Sequence, residues 1–404
     1  MNQDREWNRR EFIVKPLLWA GTASLLGRAD LLLANPANQT TGPLLQRTLG
    51  KTGLTMPVVS MGVMNADVPG LLRRAYEVGI RHFDTAAVYQ QGRNEEMVGQ
   101  MIKEMGVRDK VTIATKQPAR NRPQNVVQTK KGFVDGVESS LRRLQMDHVD
   151  ILYYHGVDSV EDARAEGPLE ALQSLKKDGK TRFVGISTHK TQDVVNEAMR
   201  MNLFDVALVT LNYTMAHDAG ILSTIERAAK SGIGIVAMKT QAGGTVKPDA
   251  KLPTKLPAVS QTALLKWVLN HEFITTAIPG FSTYEHLEQD FSVARNLAYT
   301  DEEKKFLADK SFTAQAEFCR QCGECRKDCP EQVDIPALMR SHMYAVQYGN
   351  TEMAREMLAG VTAGRGLDAC DGCESCVVAC RNSVQIGRKI AQLKALARHN
   401  VLSC

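Results

Sequence analysis

The sequence predicts an α/β chain: a (β/α)8, or TIM-barrel, fold followed by a small, cysteine-rich helical domain. Two observations support this. Between residues 46 and 310, short β-branched or apolar runs alternate eight times with longer amphipathic stretches. All nine cysteines of the 404-residue chain lie at or after Cys319. The barrel is therefore expected to lack thiols, and the cysteines are expected to serve a separate module.

The first forty residues have the composition of an export segment. Arg9 and Arg10 open the pattern R-R-x-F-I-x-K, and an apolar run follows from residue 16 to residue 27. That run has the length of a signal peptide's apolar region and is too short to span a bilayer. The pattern resembles a twin-arginine export signal, which implies a periplasmic protein with no stable transmembrane segment after cleavage near Ala34 or Ala37. The alternative is an ordinary leader on a cytoplasmic protein.

Four regions are expected along the chain. They are a signal peptide at 1–37, a linker at 38–45, the barrel at 46–310 and the cysteine-rich region at 311–404, called here the cysteine domain. The chain is 43% apolar and 24% charged, with a net charge of +5. Because no basic stripe is interleaved with aromatic residues, we expect no binding to nucleic acid.

The barrel strands are predicted from eight runs, several of which are followed by a helical stretch ending at glycine. The runs are residues 58–63, 80–84, 110–116, 149–155, 181–187, 204–211, 232–239 and 274–280. Eight β-then-α units over about 250 residues are typical of a (β/α)8 barrel. A doubly wound sheet is the competing fold, but it would normally show G-x-G-x-x-G after the first strand, and that motif is absent here.

Four polar residues follow the ends of neighbouring predicted strands. Asp84 ends the second strand, Tyr89 lies in the loop behind it, Lys116 ends the third and His155 ends the fourth. The carboxyl ends of barrel strands meet at one rim, where chemistry is located. Reduction of a carbonyl needs a proton donor on oxygen, and a lysine held charged by an aspartate lowers the pKa of a nearby tyrosine. A neutral imidazole can orient the carbonyl oxygen.

These motifs resemble the aldo-keto reductase family. GIRHFDTAAVYQQGRNEEMVG at 79–99 is similar to the family's Asp/Tyr signature, IATK at 113–116 to its lysine strand, and DILYYHGVD at 150–158 to its histidine strand. The similarity covers about residues 46–300. It implies a small carbonyl or sugar substrate. The implied catalytic residues are Tyr89 as acid/base, Lys116 and Asp84 as the groups that tune it, and His155 as the residue that orients substrate.

The resemblance also implies a nicotinamide dinucleotide site. The matching positions are Ser187, Thr188, Thr210, Tyr213, Gly280 and His286. Thr188 stands where the family usually has asparagine, Thr210 where it has glutamine, and Asp290 where it has asparagine. Each difference removes an amide from the site. The sequence therefore leaves NAD, NADP and neither as open alternatives.

The cysteines form two runs with the spacing C-x2-C-x2-C-x3-C. The first run is Cys319, Cys322, Cys325 and Cys329, and the second is Cys370, Cys373, Cys376 and Cys380. Structural zinc is the alternative, but zinc sites normally use paired C-x2-4-C motifs. The spacing matches bacterial ferredoxins, in which the fourth cysteine of each run binds the other cluster. Two [4Fe-4S] clusters are predicted.

Crossed ligation assigns the eight sulfurs to two sites. The first site is Cys319, Cys322, Cys325 and Cys380, and the second is Cys370, Cys373, Cys376 and Cys329. Between the runs, residues 335–360 read as two helices, which resembles the helical ferredoxin modules of electron-transfer subunits. The basic stretch at 386–400 reads as an amphipathic helix packing on this module.

The leading prediction is an exported oxidoreductase whose barrel acts on a carbonyl/alcohol pair and whose clusters exchange electrons with a redox partner protein. Two alternatives stay open. The barrel could be the scaffold of an electron-transfer subunit, or the protein could be a cytoplasmic NAD(P)H-dependent reductase with structural clusters.

Overall fold

The structure is a computed structural model that describes residues 42–121, 125–242, 259–309, 318–373, 375–399 and 402. The predicted export segment lies outside the described residues. The chain divides into Met1–Gln39 and one compact unit, Thr40–Cys404, so the barrel and the cysteine domain form a single unit. Among the described helices, none has both the length and the apolar composition required to cross a bilayer.

The strands follow the predicted runs closely. In chain order they are β1 (Gln46–Thr48), β2 (Thr55–Pro57), β3 (Met61–Gly62), β4 (His82–Asp84), β5 (Thr112–Pro118), β6 (Arg120–Asn121), β7 (Val126–Val127), β8 (Val149–His155), β9 (Thr181–Thr188), β10 (Val206–Thr210), β11 (Gly234–Met238) and β12 (Thr276–Ala277). The run at 149–155 forms a strand over its full length, whereas 58–63 and 274–280 contribute two residues each.

Eight of these strands form one parallel sheet in the order β3-β4-β5-β8-β9-β10-β11-β12. Isolated parallel bridges join Val59 to Ala277 and Gly62 to Gly280, so the first and last strands meet. The sheet therefore curves into a nearly closed barrel, and the predicted (β/α)8 fold is confirmed. Strands such as β10, with sequence VALVT, are buried along their whole length because helices cover the outer face and side chains fill the inside.

Helices connect the strands and cover the barrel. They are α1 (Pro69–Val78), α2 (Arg93–Met105), α3 (Lys130–Leu144), α4 (Val160–Ala163), α5 (Glu166–Lys177), α6 (Thr191–Met201), α7 (Ala219–Lys230), α8 (Val259–Leu269), α9 (Tyr284–Ser292) and α10 (Asp301–Ala308). Several begin at a hydroxyl cap, and Thr300 and Glu303 form a complete capping box at α10.

A short hairpin closes the lower end of the barrel. β1 and β2 pair antiparallel, and Leu49 between them packs with Met56 against inward-facing residues such as Ile151 and Leu208. Just before β1, Leu45 N–H donates to Ala294 O at 2.8 Å, so the end of the predicted linker lies against the barrel. Because apolar side chains fill this end of the barrel, the active site is expected at the opposite rim.

The cysteine domain contains the two helices expected between the cysteine runs and the expected helix after them. They are α11 (Ile335–His342), α12 (Thr351–Ala359) and α13 (Ile386–Arg398), and one turn of π-helix, Met343–Gln347, joins α11 to α12. Asp334 caps α11 by accepting from Ala337 N–H, and Pro336 lies in its first turn, where a missing N–H costs nothing. This helical unit contacts the upper rim of the barrel.

Candidate active site and iron-sulfur sites

Parallel strands bring the four predicted catalytic residues together at the upper rim. Lys116 on β5 forms an ion pair with Asp84 at the end of β4, and both side chains are 1% exposed. The Lys116 ammonium also donates to the Tyr89 hydroxyl at 3.2 Å. The rings of Tyr89 and His155 meet edge to face with centroids 6.0 Å apart. Proton donor, tuning pair and imidazole therefore occupy one site.

Burial changes the expected electrostatics of this site. Burial, followed by the nearby Asp84 and Tyr344, raises the pKa of Tyr89 well above its ordinary value. The sequence had led us to expect a lowered pKa. The difference arises because the Lys116 charge is neutralised by its ion pair with Asp84, while burial favours the neutral phenol. Tyr89 is thus a protonated donor at neutral pH.

A cavity of about 110 Å³ lies beside this group. Asp84, Tyr89 and His155 form part of its wall. The barrel adds Asn65 after β3, Lys239 after β11 and Gly280 after β12. Two further wall residues, Tyr344 and Tyr348, come from the cysteine domain. The cavity is therefore built by both parts of the chain.

An ion pair fixes the cysteine domain on the rim. Arg340 on α11 lies 2.5 Å from the carboxylate of Asp158 and donates to Nδ1 of His189 at 2.6 Å. Because a guanidinium only donates, Nδ1 of His189 is the acceptor and the imidazole is neutral. Burial and the charge of Arg340 lower the pKa of His189 to about 4. Outer contacts, such as Arg93 with Glu352 at 2.9 Å, are more exposed.

The six residues predicted to bind a dinucleotide are not gathered around the cavity. Gly280 lines it, whereas His286 lies in the first turn of α9, with Nδ1 3.4 Å from Ser282 Oγ. Tyr213 packs edge to face on Trp267, with centroids 5.5 Å apart, and donates to Leu307 O. Thr188 accepts from the backbone of Lys190 at 2.9 Å.

Ser187 and Thr210 keep buried hydroxyls that have no hydrogen-bond partner within the described structure. Thr210 faces Phe318 and Cys319 of the cysteine domain. Of the six predicted positions only Gly280 lines the cavity beside Tyr89, so the described residues do not gather a dinucleotide site there, and no step through that cofactor is derived.

Sequence reasoning missed Lys239, Tyr344 and Tyr348 as site residues. A signal existed for Lys239, because it ends the seventh predicted strand as Lys116 ends the third. The two tyrosines lie in a segment predicted only as helix, and no local pattern shows that this helix covers the barrel.

The eight cysteines fall into two groups of neighbours. Burial, with smaller contributions from nearby Cys325, Cys380 and Cys322, raises the pKa of the Cys319 thiol to about 12. Burial likewise raises the pKa of Cys370 to about 11, with contributions from Cys329, Cys373 and Cys376. These are the two sets assigned by crossed ligation. Thiolates so close together need positive charge between them, which the iron of a [4Fe-4S] cluster would supply.

The arrangement of the cysteine sulfurs differs from that of four ligands around a single zinc ion. Sulfurs bound to one zinc lie about 4 Å apart because each Zn–S bond is about 2.3 Å. Among the described residues, no three His, Cys, Asp or Glu side chains converge in that way. Gly323 and Gly372 leave open backbone within the first and second runs, and Gly387 on α13 packs on Cys376.

Comparisons with known proteins agree with this architecture. Residues 62–258 match the aldo/keto reductase family and residues 318–386 match the 4Fe-4S dicluster domain. L-glyceraldehyde 3-phosphate reductase of Escherichia coli (strain K12) is 26% identical over 329 residues, which is 67% of this chain and 93% of that protein. L-galactose dehydrogenase of Arabidopsis thaliana is 26% identical over 306 residues, covering 65% and 92%.

Among solved structures, an aldo-keto reductase from Bacillus halodurans in its holo form has a TM-score of 0.55 and 23% identity, covering 66% of this chain and 95% of that one. This likeness concerns the fold. The chain thus joins an aldo/keto reductase barrel to a 4Fe-4S dicluster domain, and it is an oxidoreductase of the aldo-keto reductase type.

Proposed function

We propose that this protein is an exported oxidoreductase that interconverts a small carbonyl compound and its alcohol, with electrons passing singly through two [4Fe-4S] clusters. One observation carries the proposal: Tyr344 and Tyr348 of the cysteine domain line the same cavity as Tyr89 and His155. The first iron-sulfur site lies close by, since Cys319 borders a cleft with His189 and Lys239, which also line the cavity. Relatives named as a reductase and a dehydrogenase support the carbonyl/alcohol chemistry.

The electron count is consistent with this proposal. Reduction of one carbonyl group to an alcohol consumes two electrons and two protons, because one new C–H bond and one new O–H bond form as the C=O π bond breaks. Two [4Fe-4S] clusters would each supply one electron of the pair. They would be held by Cys319, Cys322, Cys325 and Cys380, and by Cys370, Cys373, Cys376 and Cys329. The electrons come from an external one-electron donor protein, and the reverse reaction returns them to an acceptor of the same class.

Protons are handled by the catalytic residues. Tyr89, protonated in its buried setting, donates to the developing alkoxide. The Lys116 ammonium, 3.2 Å away, stabilises the resulting phenolate until water reprotonates it. Water supplies the second proton of the overall reaction, and His155 orients the carbonyl oxygen.

Export is proposed from the R-R-x-F-I-x-K segment. The twin-arginine route carries folded proteins, which suits a chain that must receive its clusters before it crosses the membrane. Replacement of Arg9 and Arg10 by lysine is expected to leave uncleaved protein in the cytoplasm. Unchanged delivery to the periplasm would overturn this part of the proposal.

The decisive experiment uses full-length protein purified without oxygen. Clusters are reduced photochemically and reoxidation is followed by EPR and absorbance on adding small aldehydes and ketones. Carbonyl-dependent reoxidation is expected in the wild type and is expected to fall 10²–10⁴-fold in Tyr89→Phe, because the proton donor is lost. Iron content and cluster reduction should be unchanged in that variant.

Two results would overturn the proposal. Equal reoxidation by wild type and Tyr89→Phe would make the barrel a scaffold. Stoichiometric release of a nicotinamide dinucleotide from the purified protein, with turnover that survives cluster removal, would assign the reaction to hydride transfer.

A further inference from the structure

Lys239 is a charged wall residue of the cavity that the proposed chemistry does not use. It directly follows β11 and has a left-handed backbone, with φ of 56°. A residue other than glycine rarely adopts this conformation unless its surroundings hold it there. The side-chain amide of Asn212 donates to the Lys239 carbonyl at 3.2 Å and so supports the conformation. The barrel therefore fixes the point from which this side chain enters the cavity.

The Lys239 ammonium contacts two aromatic rings and no acid. Its Nζ lies 4.8 Å from the ring centroid of Tyr344, 5.5 Å from that of Tyr348 and 3.3 Å from the Tyr344 hydroxyl. Across the part of the chain that the structure describes, no carboxylate lies within ion-pairing distance of it. Lys116, the other lysine of the site, already has Asp84. Among the described residues, Lys239 thus brings to the cavity a positive charge without an ion-pair partner.

The charge is stable in this setting. Burial alone would lower the pKa of Lys239, but the neighbouring Tyr344 and Tyr348 raise it above the ordinary value. Cation–π contacts of this kind also favour the ammonium form. A positive charge without a counter-ion favours an anionic ligand in the space it faces.

Further donors lie near Lys239. The Tyr344 hydroxyl is close enough to Tyr89 and Lys116 to affect the pKa of both, and it lies 3.3 Å from the Lys239 ammonium. Asn65 accepts from Asn350 through Oδ1 at 3.0 Å, and its Nδ2 is turned toward Gly280 in the cavity wall. An anion at Lys239 can therefore receive hydrogen bonds from neutral groups as well as a charge.

We propose that the cavity binds a small carbonyl compound that carries a carboxylate, with the carboxylate on Lys239 and Tyr344 and the carbonyl oxygen facing Tyr89. This deepens the proposed function and rests on it for the identity of the reacting group. A short oxo acid is the simplest compound that carries both groups. The cysteine domain then contributes to substrate choice as well as electron supply, because Tyr344 belongs to it.

The test measures binding without turnover on the oxidised, cluster-loaded full chain. Pyruvate and its neutral methyl ester are titrated by calorimetry under anoxic conditions. Pyruvate is expected to bind at least 10-fold more tightly than the ester. Lys239→Met should remove this preference by weakening pyruvate 10–100-fold while leaving the ester unchanged.

Matched variants keep the result interpretable. Lys230→Met removes an exposed lysine elsewhere on the barrel, paired with Glu226, and should leave pyruvate binding unchanged. Lys239→Arg should retain most of the preference, and it replaces Lys239→Met if the methionine variant loses iron or helix content. Tyr344→Phe should weaken pyruvate several-fold.

Equal affinity for acid and ester, or equal weakening by Lys239→Met and Lys230→Met, would overturn the inference. Because no turnover is required, the anion site can be established even if the Tyr89→Phe experiment refutes carbonyl reduction. Conversely, if carbonyl compounds with and without a carboxylate reoxidised the clusters equally well, the proposed function would stand and only this inference would be refuted.

Discussion

The two iron-sulfur sites are built from the same sequence motif but lie in different surroundings. The first site, which includes Cys319, borders a cleft formed with the barrel, where His189, Lys239 and Arg340 meet Lys389 of α13. A Cβ built on Gly323 in this run would lie 3.5 Å from the ammonium of Lys190. Basic groups from the barrel and from α13 therefore surround the first site.

The second site has an acidic setting. Cys370 lies in a turn, Asp368–Gly372, that carries Asp368 and Asp371. One lysine, Lys394 on α13, donates to Cys370 O at 2.8 Å and pairs with Asp371 at 3.0 Å. Reduction adds negative charge to a cluster, so basic surroundings raise its potential and acidic ones lower it. The comparison predicts that electrons move from the second site to the first, toward the cavity.

The largest expected effect tests whether these two sites have the ligands assigned to them. The double variant Cys325→Ala/Cys380→Ala removes two ligands of the first site only, so iron content should fall from about eight to about four atoms per chain. Cys325→Ala/Cys329→Ala removes one ligand from each site and should lose nearly all iron.

Iron analysis and EPR read out both variants. Ligation within each run would give the opposite pattern, with about four iron atoms kept by Cys325→Ala/Cys329→Ala and none by the other variant. Because both double variants share Cys325→Ala, a general loss of folding would appear as equal iron loss in the two.

The second prediction concerns the contact that places the first site on the barrel. Arg340→Met leaves Asp158 without its guanidinium partner in a largely buried position, and loss of one member of such a pair costs about 3–5 kcal/mol. Arg93→Met removes a more exposed pair with Glu352 at the same interface and should cost about 1 kcal/mol or less. Hydrogen exchange of α11 amides in anoxic, cluster-loaded protein measures both. Equal costs would show that Arg340 does not anchor the domain.

The third prediction is that the stability of docking between the cysteine domain and the barrel depends on pH. The pKa of His189 is lowered to about 4 by burial and by Arg340, against an ordinary value of about 6.5. As pH falls, His189 therefore becomes protonated at a higher pH in the undocked state than in the docked state. Docking stability should be full above about pH 6.5 and should decline toward pH 4, by about 2 kcal/mol at pH 5.

Asp158 stays ionised throughout this window because its pKa is far below the ordinary value; burial would raise it, but Arg340 and His189 outweigh burial. Hydrogen exchange of α11 at pH 7 and pH 5, corrected for intrinsic rates, measures the change. His189→Gln should flatten the profile. If docking stability in the His189→Gln variant declined with pH as steeply as in the wild type, another titrating group would be responsible.

Much of the site could be predicted because barrel chemistry follows strand ends. Asp84, Lys116 and His155 each end a run recognisable from its apolar, β-branched residues, and parallel pairing then brings them to one rim. The cysteine spacing was equally informative, since ligand geometry fixes it locally. Both signals depend on residues that are close in sequence or on a repeated unit.

What could not be predicted depends on contacts distant in sequence. Arg340 reaches Asp158 across 182 residues, and the local sequence of neither residue indicates the other as its partner. Burial raises the pKa of Tyr89, and part of the further rise, after that caused by Asp84, comes from Tyr344 of the cysteine domain. Tyr213 lies three residues beyond β10, where the chain has left the rim and packs on α8.

The prediction with the smallest expected effect concerns the difference in reduction potential between the two clusters. α13 supplies one lysine to each site, so Lys389→Gln and Lys394→Gln form a matched pair on the same helix. Each should lower the potential of its own cluster by an amount on the order of 50 mV, because a nearby positive charge that stabilised the reduced form is removed. EPR-monitored redox titration of the full chain follows both clusters.

In the wild type the higher potential is assigned to the first site. Lys389→Gln should therefore move the higher-potential transition downward and narrow the gap, whereas Lys394→Gln should move the lower one and widen it. If Lys389→Gln shifted the lower-potential transition instead, the cluster beside the barrel would be the weaker acceptor. Electrons would then leave the cavity through the clusters, and alcohol oxidation would become the favoured direction of the proposed reaction.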